Sequence, residues 1–276
     1  MKRELFLQFL CVFLVTQILG LYVADVLVQS DVSIDLPAGD KDNINNSLFM
    51  FAYIMVFTLI LLGVIKIAKG KMLYYLLKGL ESLAVFTAAS IVFATFYDSI
   101  LVLIPAIALV IARIIWPAKI LLRNFATVLA VSGVGALIGV SLGPLPIVVF
   151  MVLLAVYDYI AVFKTKHMIK LAKAVSSKNL AFSYAMPTKE HTFELGTGDL
   201  VIPLAFAASL LAAVKPFYVF PYYLIPSALV LVASLVGLKL TMDIVAKKVG
   251  KALPALPMQV ALMVMVYIGV VIMGII

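Results

Sequence analysis

Long apolar segments alternate with shorter polar ones along the whole of this 276-residue chain. A helix needs roughly 20 mostly apolar residues to cross the hydrocarbon core of a membrane. Nine segments approach that length, at residues 5–27, 48–67, 73–96, 100–115, 125–142, 145–163, 200–214, 222–240 and 253–276. Segments 100–115 and 200–214 are short and need residues from their flanks. The pattern predicts an all-α polytopic membrane protein with nine transmembrane helices.

The composition agrees with this architecture. Hydrophobic residues make up 65% of the chain and charged residues 12%, with a mean hydropathy of +1.21. A soluble domain typically contains about 25% charged residues, so a soluble globular fold is excluded. Without a long polar block, a single integral domain over residues 1–276 is predicted. The single cysteine, Cys11, excludes an internal disulfide framework and a cysteine-rich metal site.

The distribution of charge predicts the orientation. If the N-terminus is cytoplasmic and nine spans alternate, 19 of the 21 basic residues fall in cytoplasmic segments, and only Lys41 and Lys215 fall outside. The first external loop instead collects four acidic residues, Asp31, Asp35, Asp40 and Asp42. We therefore predict a cytoplasmic N-terminus and an external C-terminus. The net charge of +8 reflects this topology and does not indicate a nucleic-acid partner.

The domain is predicted to consist of helices 1–5 (residues 1–142) and helices 6–9 (residues 145–276), and the longest cytoplasmic loop, residues 164–194, joins helices 6 and 7. Its first part, residues 164–175, mixes lysines with apolar side chains. This mixture favours a short helix lying on an anionic membrane surface. The remainder, residues 176–194, is predicted to be irregular.

Two aspartates flank that loop. Asp158 is the only charge in the apolar stretch LAVYDYIAVF, and Asp199 stands at the mouth of the next predicted span. An aspartate at the centre of a spanning helix costs roughly 2.5–3.5 kcal/mol, so a functional role is expected. The sixth span ends on the cytoplasmic face of the membrane, and the seventh span begins on the same face. Asp158 lies roughly 8 Å from that end of its span, so both carboxylates are predicted to lie at a similar depth.

Paired carboxyl groups suggest a specific chemistry. Two carboxyl groups held close together cannot both ionise cheaply and share a proton. The ionised member can take a proton from a water molecule that attacks a peptide carbonyl, and the protonated member can donate to the carbonyl oxygen. Asp158 and Asp199 are therefore candidate catalytic residues of an aspartic protease.

Three short motifs, in order along the chain, resemble those of the presenilin and signal peptide peptidase family of intramembrane aspartyl proteases. They correspond to the YD, GxGD and PAL motifs of that family and comprise Tyr157 and Asp158, then Gly196, Thr197, Gly198 and Asp199, and finally Pro254, Ala255 and Leu256. The resemblance covers essentially the whole chain and is to a microbial, archaeal-type presenilin homologue. Thr197 stands where animal members usually have leucine, which leaves substrate preference open.

The resemblance implies a presenilin-like fold and cleavage of transmembrane peptides by Asp158 and Asp199, without a metal or organic cofactor. It implies active-site roles for Tyr157, Gly196, Thr197 and Gly198, and substrate binding by the PAL residues Pro254, Ala255 and Leu256. The expected partners are transmembrane substrates and lipid in an archaeal or bacterial cell membrane. An obligate partner subunit is not expected, and an oligomer is left open.

The main alternative is a proton- or ion-coupled secondary transporter, because transporters also use buried aspartates and glycine-broken helices. The chain shows no inverted repeat, and transport would not require the PAL motif. A zinc protease is excluded because His167 and His191 both lie in the long loop and the chain contains no HExxH motif.

Three further patterns predict structure or substrate contacts. Glu81 lies one turn from Lys78 and is predicted to have a structural role, either extending to the membrane interface or pairing with that lysine. Gly135, Gly139 and Gly143 form a small-residue ridge suited to close helix packing, either within the chain or against another copy. The segment 184–195 is a candidate to pair, as an added strand, with an unwound substrate.

Overall fold

The computed structural model describes residues 3–68, 70–97, 99–165, 183–187, 192–247 and 254–274. The surface helix predicted for residues 164–175 lies almost entirely outside these ranges, as do both histidines. The described residues form nine α-helices: α1 (Arg3–Gln29), α2 (Asn45–Ile67), α3 (Gly70–Ala94), α4 (Leu103–Ile115), α5 (Ile120–Ser141), α6 (Pro144–Ile160), α7 (Gly198–Val214), α8 (Ile225–Lys247) and α9 (Leu256–Ile272). Two strands, β1 (Ser183–Pro187) and β2 (Thr192–Gly196), lie between α6 and α7.

Each of the nine predicted spans overlaps one of these helices, which confirms the all-α, multi-pass membrane architecture. Six helical segments of the described chain are long and apolar enough to cross a membrane. The apolar helices Ile100–Ile115, Gly198–Val214 and Leu256–Ile272 are shorter. The last of these begins later than predicted, because Pro254 and Pro257 confine its start to the residues between them. Proline is tolerated best in the first helical turn, where its missing N–H would have no partner.

The prediction that residues 176–194 are irregular was wrong for the described part of that segment. β1 and β2 form an antiparallel hairpin in which Ser183 lies opposite Gly196 and Ala185 opposite Glu194. The hairpin packs against α1, α5 and the start of α7, and it buries Ala185, Met186 and Leu195. Strand formation here depends on packing against the bundle, which the local sequence does not reveal.

The central helix of the bundle is α5, which packs against α1, α3 and α7. Small residues permit these contacts: a side chain on Gly133 would meet the Ala88 carbonyl of α3, and one on Gly139 would meet the Ala205 carbonyl of α7. Lipid provides little hydrophobic drive for helix association, so close backbone approach is a principal source of contact energy. The glycine ridge therefore packs at least partly within the chain.

A buried ion cluster joins α3 to α4. The Lys78 ammonium lies 2.6 Å from the Glu81 carboxylate, as predicted, and the Arg113 guanidinium lies 2.7 Å from it. All three residues are buried. Breaking a buried ion pair leaves an uncompensated charge, so this cluster holds the two helices in register.

The contact at Gly139 generates a stability prediction. Gly139→Ala places a methyl group against the backbone of α7 and should destabilise the protein by about 1–3 kcal/mol, despite the higher helix propensity of alanine. The matched control is Gly269→Ala on α9, where an added methyl group meets nothing within 4 Å. Thermal unfolding in detergent measures the difference, and equal midpoints for both variants would contradict the close contact.

Candidate active site

The first carboxylate lies near the end of α6. Asp158 is half-buried and is followed by a π-helical turn at Ala161–Thr165. Tyr157 faces away toward α2, where its hydroxyl hydrogen-bonds with Thr58 and its ring meets Phe51 edge-on with centroids 6.4 Å apart. Tyr157 therefore connects α6, the helix that carries Asp158, to α2.

The second carboxylate stands in the first turn of α7. β2 ends at Gly196, Thr197 occupies the N-cap position, and Gly198 begins the helix. A side chain at Gly196 would lie 3.5 Å from Asp199 Oδ2. Glycine at this position therefore leaves one side of the Asp199 carboxyl group open.

The structure brings the two aspartates together inside the bundle. α6 packs against α7, and Asp158 lies close enough to Asp199 for their charges to interact. Both residues are half-buried, and Gly196 and Gly198 beside them are exposed. The paired carboxyl groups thus lie beside backbone that the rest of the described chain leaves uncovered.

The first turn of α7 lies beside the middle of α1, where Leu200, the residue after Asp199, contacts Gln17.

The PAL residues reach the first aspartate directly. The backbone N–H of Leu256 donates a hydrogen bond to the Asp158 carboxyl group. This N–H belongs to the first turn of α9 and has no acceptor within its own helix. Leu256 itself is buried among residues of α6 and α7, while Pro254 and Ala255 are half-buried. The motif therefore orients Asp158 as well as bordering the site.

An open apolar cavity of about 370 Å³ adjoins the PAL residues between α6, α8 and α9. Its lining includes Tyr159, Phe163, Thr241, Pro254 and Met258. Pro254 is thus shared between this cavity and the motif that contacts Asp158, so the cavity borders the site from the side of α9.

Sequence analysis missed one residue that contacts the start of α7. The buried Gln17 side chain donates from Nε2 to the Leu200 carbonyl, with the two atoms 3.1 Å apart. Pro203 has no N–H to donate to the carbonyl of Asp199, so this first turn lacks one of its usual helical hydrogen bonds. The sequence could have indicated this contact, because Gln17 is a polar residue within an apolar span.

The fold and the paired carboxyl groups define a multi-pass membrane protein with an aspartyl-protease type of site. The family model for signal-peptide peptidase, presenilin aspartyl protease matches residues 10–275. The chain belongs to this family of intramembrane aspartyl proteases, as the motifs indicated.

Two solved structures of a presenilin family intramembrane aspartate protease share the fold. The structure in space group P2 has a TM-score of 0.67 and 23% identity, with coverage of 95% of this chain and 96% of that one. The structure in space group C222 has a TM-score of 0.65 and 23% identity, with 94% of each chain covered. No curated protein sequence matches this chain.

The Gln17 contact generates a prediction for catalysis. Gln17→Leu keeps the approximate size of the side chain but removes the hydrogen bond that α1 donates to the Leu200 carbonyl. The rate of peptide cleavage should fall about tenfold, the equivalent of one hydrogen bond. Gln29→Leu, at the exposed end of the same helix, is the control and should cleave at the unmodified rate. Equal rates for both variants would show that Gln17 does not position Asp199.

Proposed function

We propose that this protein cleaves transmembrane peptides using Asp158 and Asp199 as its catalytic acid–base pair. The observation that carries the proposal is the meeting of these two carboxyl groups, from adjacent helices, beside exposed glycines. Family membership supports the reaction type, and the Leu256 hydrogen bond supports a defined orientation of Asp158. No feature of the fold or family supports the transporter alternative.

The proposed reaction is hydrolysis without a covalent enzyme intermediate. One aspartate, ionised, accepts a proton from water as the water oxygen bonds to the peptide carbonyl carbon. The other aspartate, protonated, donates its proton to the carbonyl oxygen. The tetrahedral intermediate then loses its C–N bond as the nitrogen receives a proton, releasing an amine and a carboxylic acid. Both aspartates return to their starting protonation states.

A transmembrane substrate must unwind locally to expose a peptide carbonyl, and the hairpin offers one edge to the unwound segment. The backbone N–H and C=O of Ala185 both engage Asn124, so they point away from β2. The Pro187 carbonyl accepts from Gln8. These contacts occupy the outer edge of β1.

The outer edge of β2 is the one that fits an added strand. Opposed residues of an antiparallel pair alternate between hydrogen-bonded and non-hydrogen-bonded pairs. The backbone N–H and C=O of Ala185 point away from β2, so those of its partner Glu194 point away from β1. The backbone groups of Gly196, two residues further on, point the same way. Both residues are exposed, and Gly196 lies three residues before Asp199. A strand added here places its backbone next to the catalytic pair.

The remaining proposals concern membrane orientation, the type of membrane, partner subunits and substrate choice. The basic residues support a cytoplasmic N-terminus, an external C-terminus and an active site open to the cytoplasm. A microbial membrane, action without an obligate partner subunit, and the roles of Thr197 and the PAL residues in substrate choice stay predictions.

The catalytic pair is tested by substitution. Asp158→Ala and Asp199→Ala should each abolish cleavage of a purified transmembrane peptide, and Asp→Asn at either position should lower the rate by at least about 10²-fold. The control is Asp25→Asn, which removes a carboxylate paired with Lys215 at the other end of α1. Mass spectrometry of the products measures cleavage. Full activity in either alanine variant would remove that residue from the mechanism.

The β2 edge is tested by removing one N–H. Glu194→Pro deletes the outward N–H, and proline is tolerated at such an edge position. Glu194→Val removes the same side chain but keeps the N–H. Glu194→Pro should impair cleavage of long helical substrates several-fold more than Glu194→Val, whereas the two should differ little on short flexible peptides. Indistinguishable variants on long substrates would refute strand addition at this edge.

A further inference from the structure

The first turn of α5 holds the hairpin through a side-chain amide. Asn124 Nδ2 donates to the Ala185 carbonyl at 2.7 Å, and the Ala185 N–H donates to Asn124 Oδ1 at 2.9 Å. The amide thus occupies the place that a neighbouring strand would take. The Tyr184 hydroxyl also hydrogen-bonds with this side chain.

The preceding residue holds the other strand. The Arg123 guanidinium lies 3.3 Å from one carboxylate oxygen of Glu194, and the Ser183 hydroxyl donates to the other oxygen at 2.9 Å. Arg123 and Asn124 are both buried. Consecutive residues of one helix therefore fix both strands, β1 by its backbone and β2 by a charged side chain.

The hairpin needs such support. Each strand has only five residues, and an isolated two-stranded hairpin is marginally stable at best. The same α5 packs against α7 along Gly135 and Gly139. One rigid helix therefore sets the position of β2 at its start and that of the Asp199 helix along its length.

We propose that Asn124 is a positioning residue for cleavage, which holds the hairpin assembled beside Asp199 before substrate arrives. This role rests on the proposed function, because it matters to catalysis only if β2 receives the substrate. Asn124 itself does not touch the reacting atoms. It acts through Ala185 and the strand pairing.

A pair of variants separates this role from simple loss of stability. Asn124→Leu removes both hydrogen bonds and should lower the rate of transmembrane peptide cleavage about tenfold or more. Asn124→Asp in its ionised form cannot donate to the Ala185 carbonyl. Protonation at lower pH restores a donor and an acceptor in the original arrangement. Burial at this position should raise the pKa of the introduced carboxyl group above its ordinary value of about 3.9. The rate of Asn124→Asp relative to the unmodified protein should therefore rise as the pH falls from about 8 to about 5, while the relative rate of Asn124→Leu stays low.

Asn46 on α2 is a matched control. It is also buried and bonds to backbone in both directions, accepting from the Ala38 N–H at 3.0 Å and donating to the Asp40 carbonyl at 2.7 Å. Asn46→Asp tests the general effect of disturbing such an amide. Its relative cleavage rate should not change with pH in this way. A matching pH response in Asn46→Asp would overturn the assignment of Asn124.

Hydrogen–deuterium exchange provides a readout that does not depend on activity. In Asn124→Leu the amides of Tyr184, Ala185 and Leu195 should exchange faster, while those in the middle of α5 and α7 keep their protection. Unchanged protection of the hairpin would overturn the inference, as would identical pH profiles for Asn124→Asp and Asn124→Leu. If the unmodified protein cuts no membrane peptide, the proposed function fails, and the exchange result alone decides whether Asn124 holds the hairpin.

Discussion

The close contact between α5 and α7 is the constraint on which the rest of the site depends. At Gly139 the backbone of one helix meets the backbone of the other, so neither can rotate or slide without a clash. Packed interiors transmit displacements because they contain few voids. The start of α7, with Asp199, is therefore fixed relative to α5, and α5 in turn fixes the hairpin. The position of Asp199 thus depends on a helix–helix contact that contains no charged group.

Three hydrogen-bonded contacts around the site join a side chain of one element to the backbone of another. Gln17 engages the carbonyl beside Asp199, Asn124 engages both backbone groups of Ala185, and the N–H of Leu256 engages Asp158. Unpaired backbone groups in hydrocarbon cost several kcal/mol each. A site that needs non-helical chain within the membrane must supply partners for it from neighbouring helices. Side-chain amides suit this purpose, because one amide can donate and accept at once.

The sequence predicts the parts of this arrangement that are local. Asp158 stands out because a charge in an apolar run is unfavourable, and the Lys78–Glu81 pair follows from helical spacing. Arg113, which joins the same pair from 32 residues away, gave no such signal. The Asn124–Ala185 contact spans 61 residues and the Gln17–Leu200 contact 183. Partners this distant leave no periodic pattern, and the hairpin was missed because its stability comes from such partners.

An assembled hairpin changes the energetics of substrate entry in the proposed mechanism. A transmembrane helix that unwinds loses its internal hydrogen bonds, and in lipid those groups have no other partner. The edge of β2 replaces them only if its own N–H and C=O groups already point outward at fixed spacing. Were the hairpin disordered, binding would also have to order the hairpin residues, at about 1–2 kcal/mol of backbone entropy for each. Holding the strands in advance through α5 removes that ordering cost from the binding step, and the free energy of strand pairing is then available to unwind the substrate.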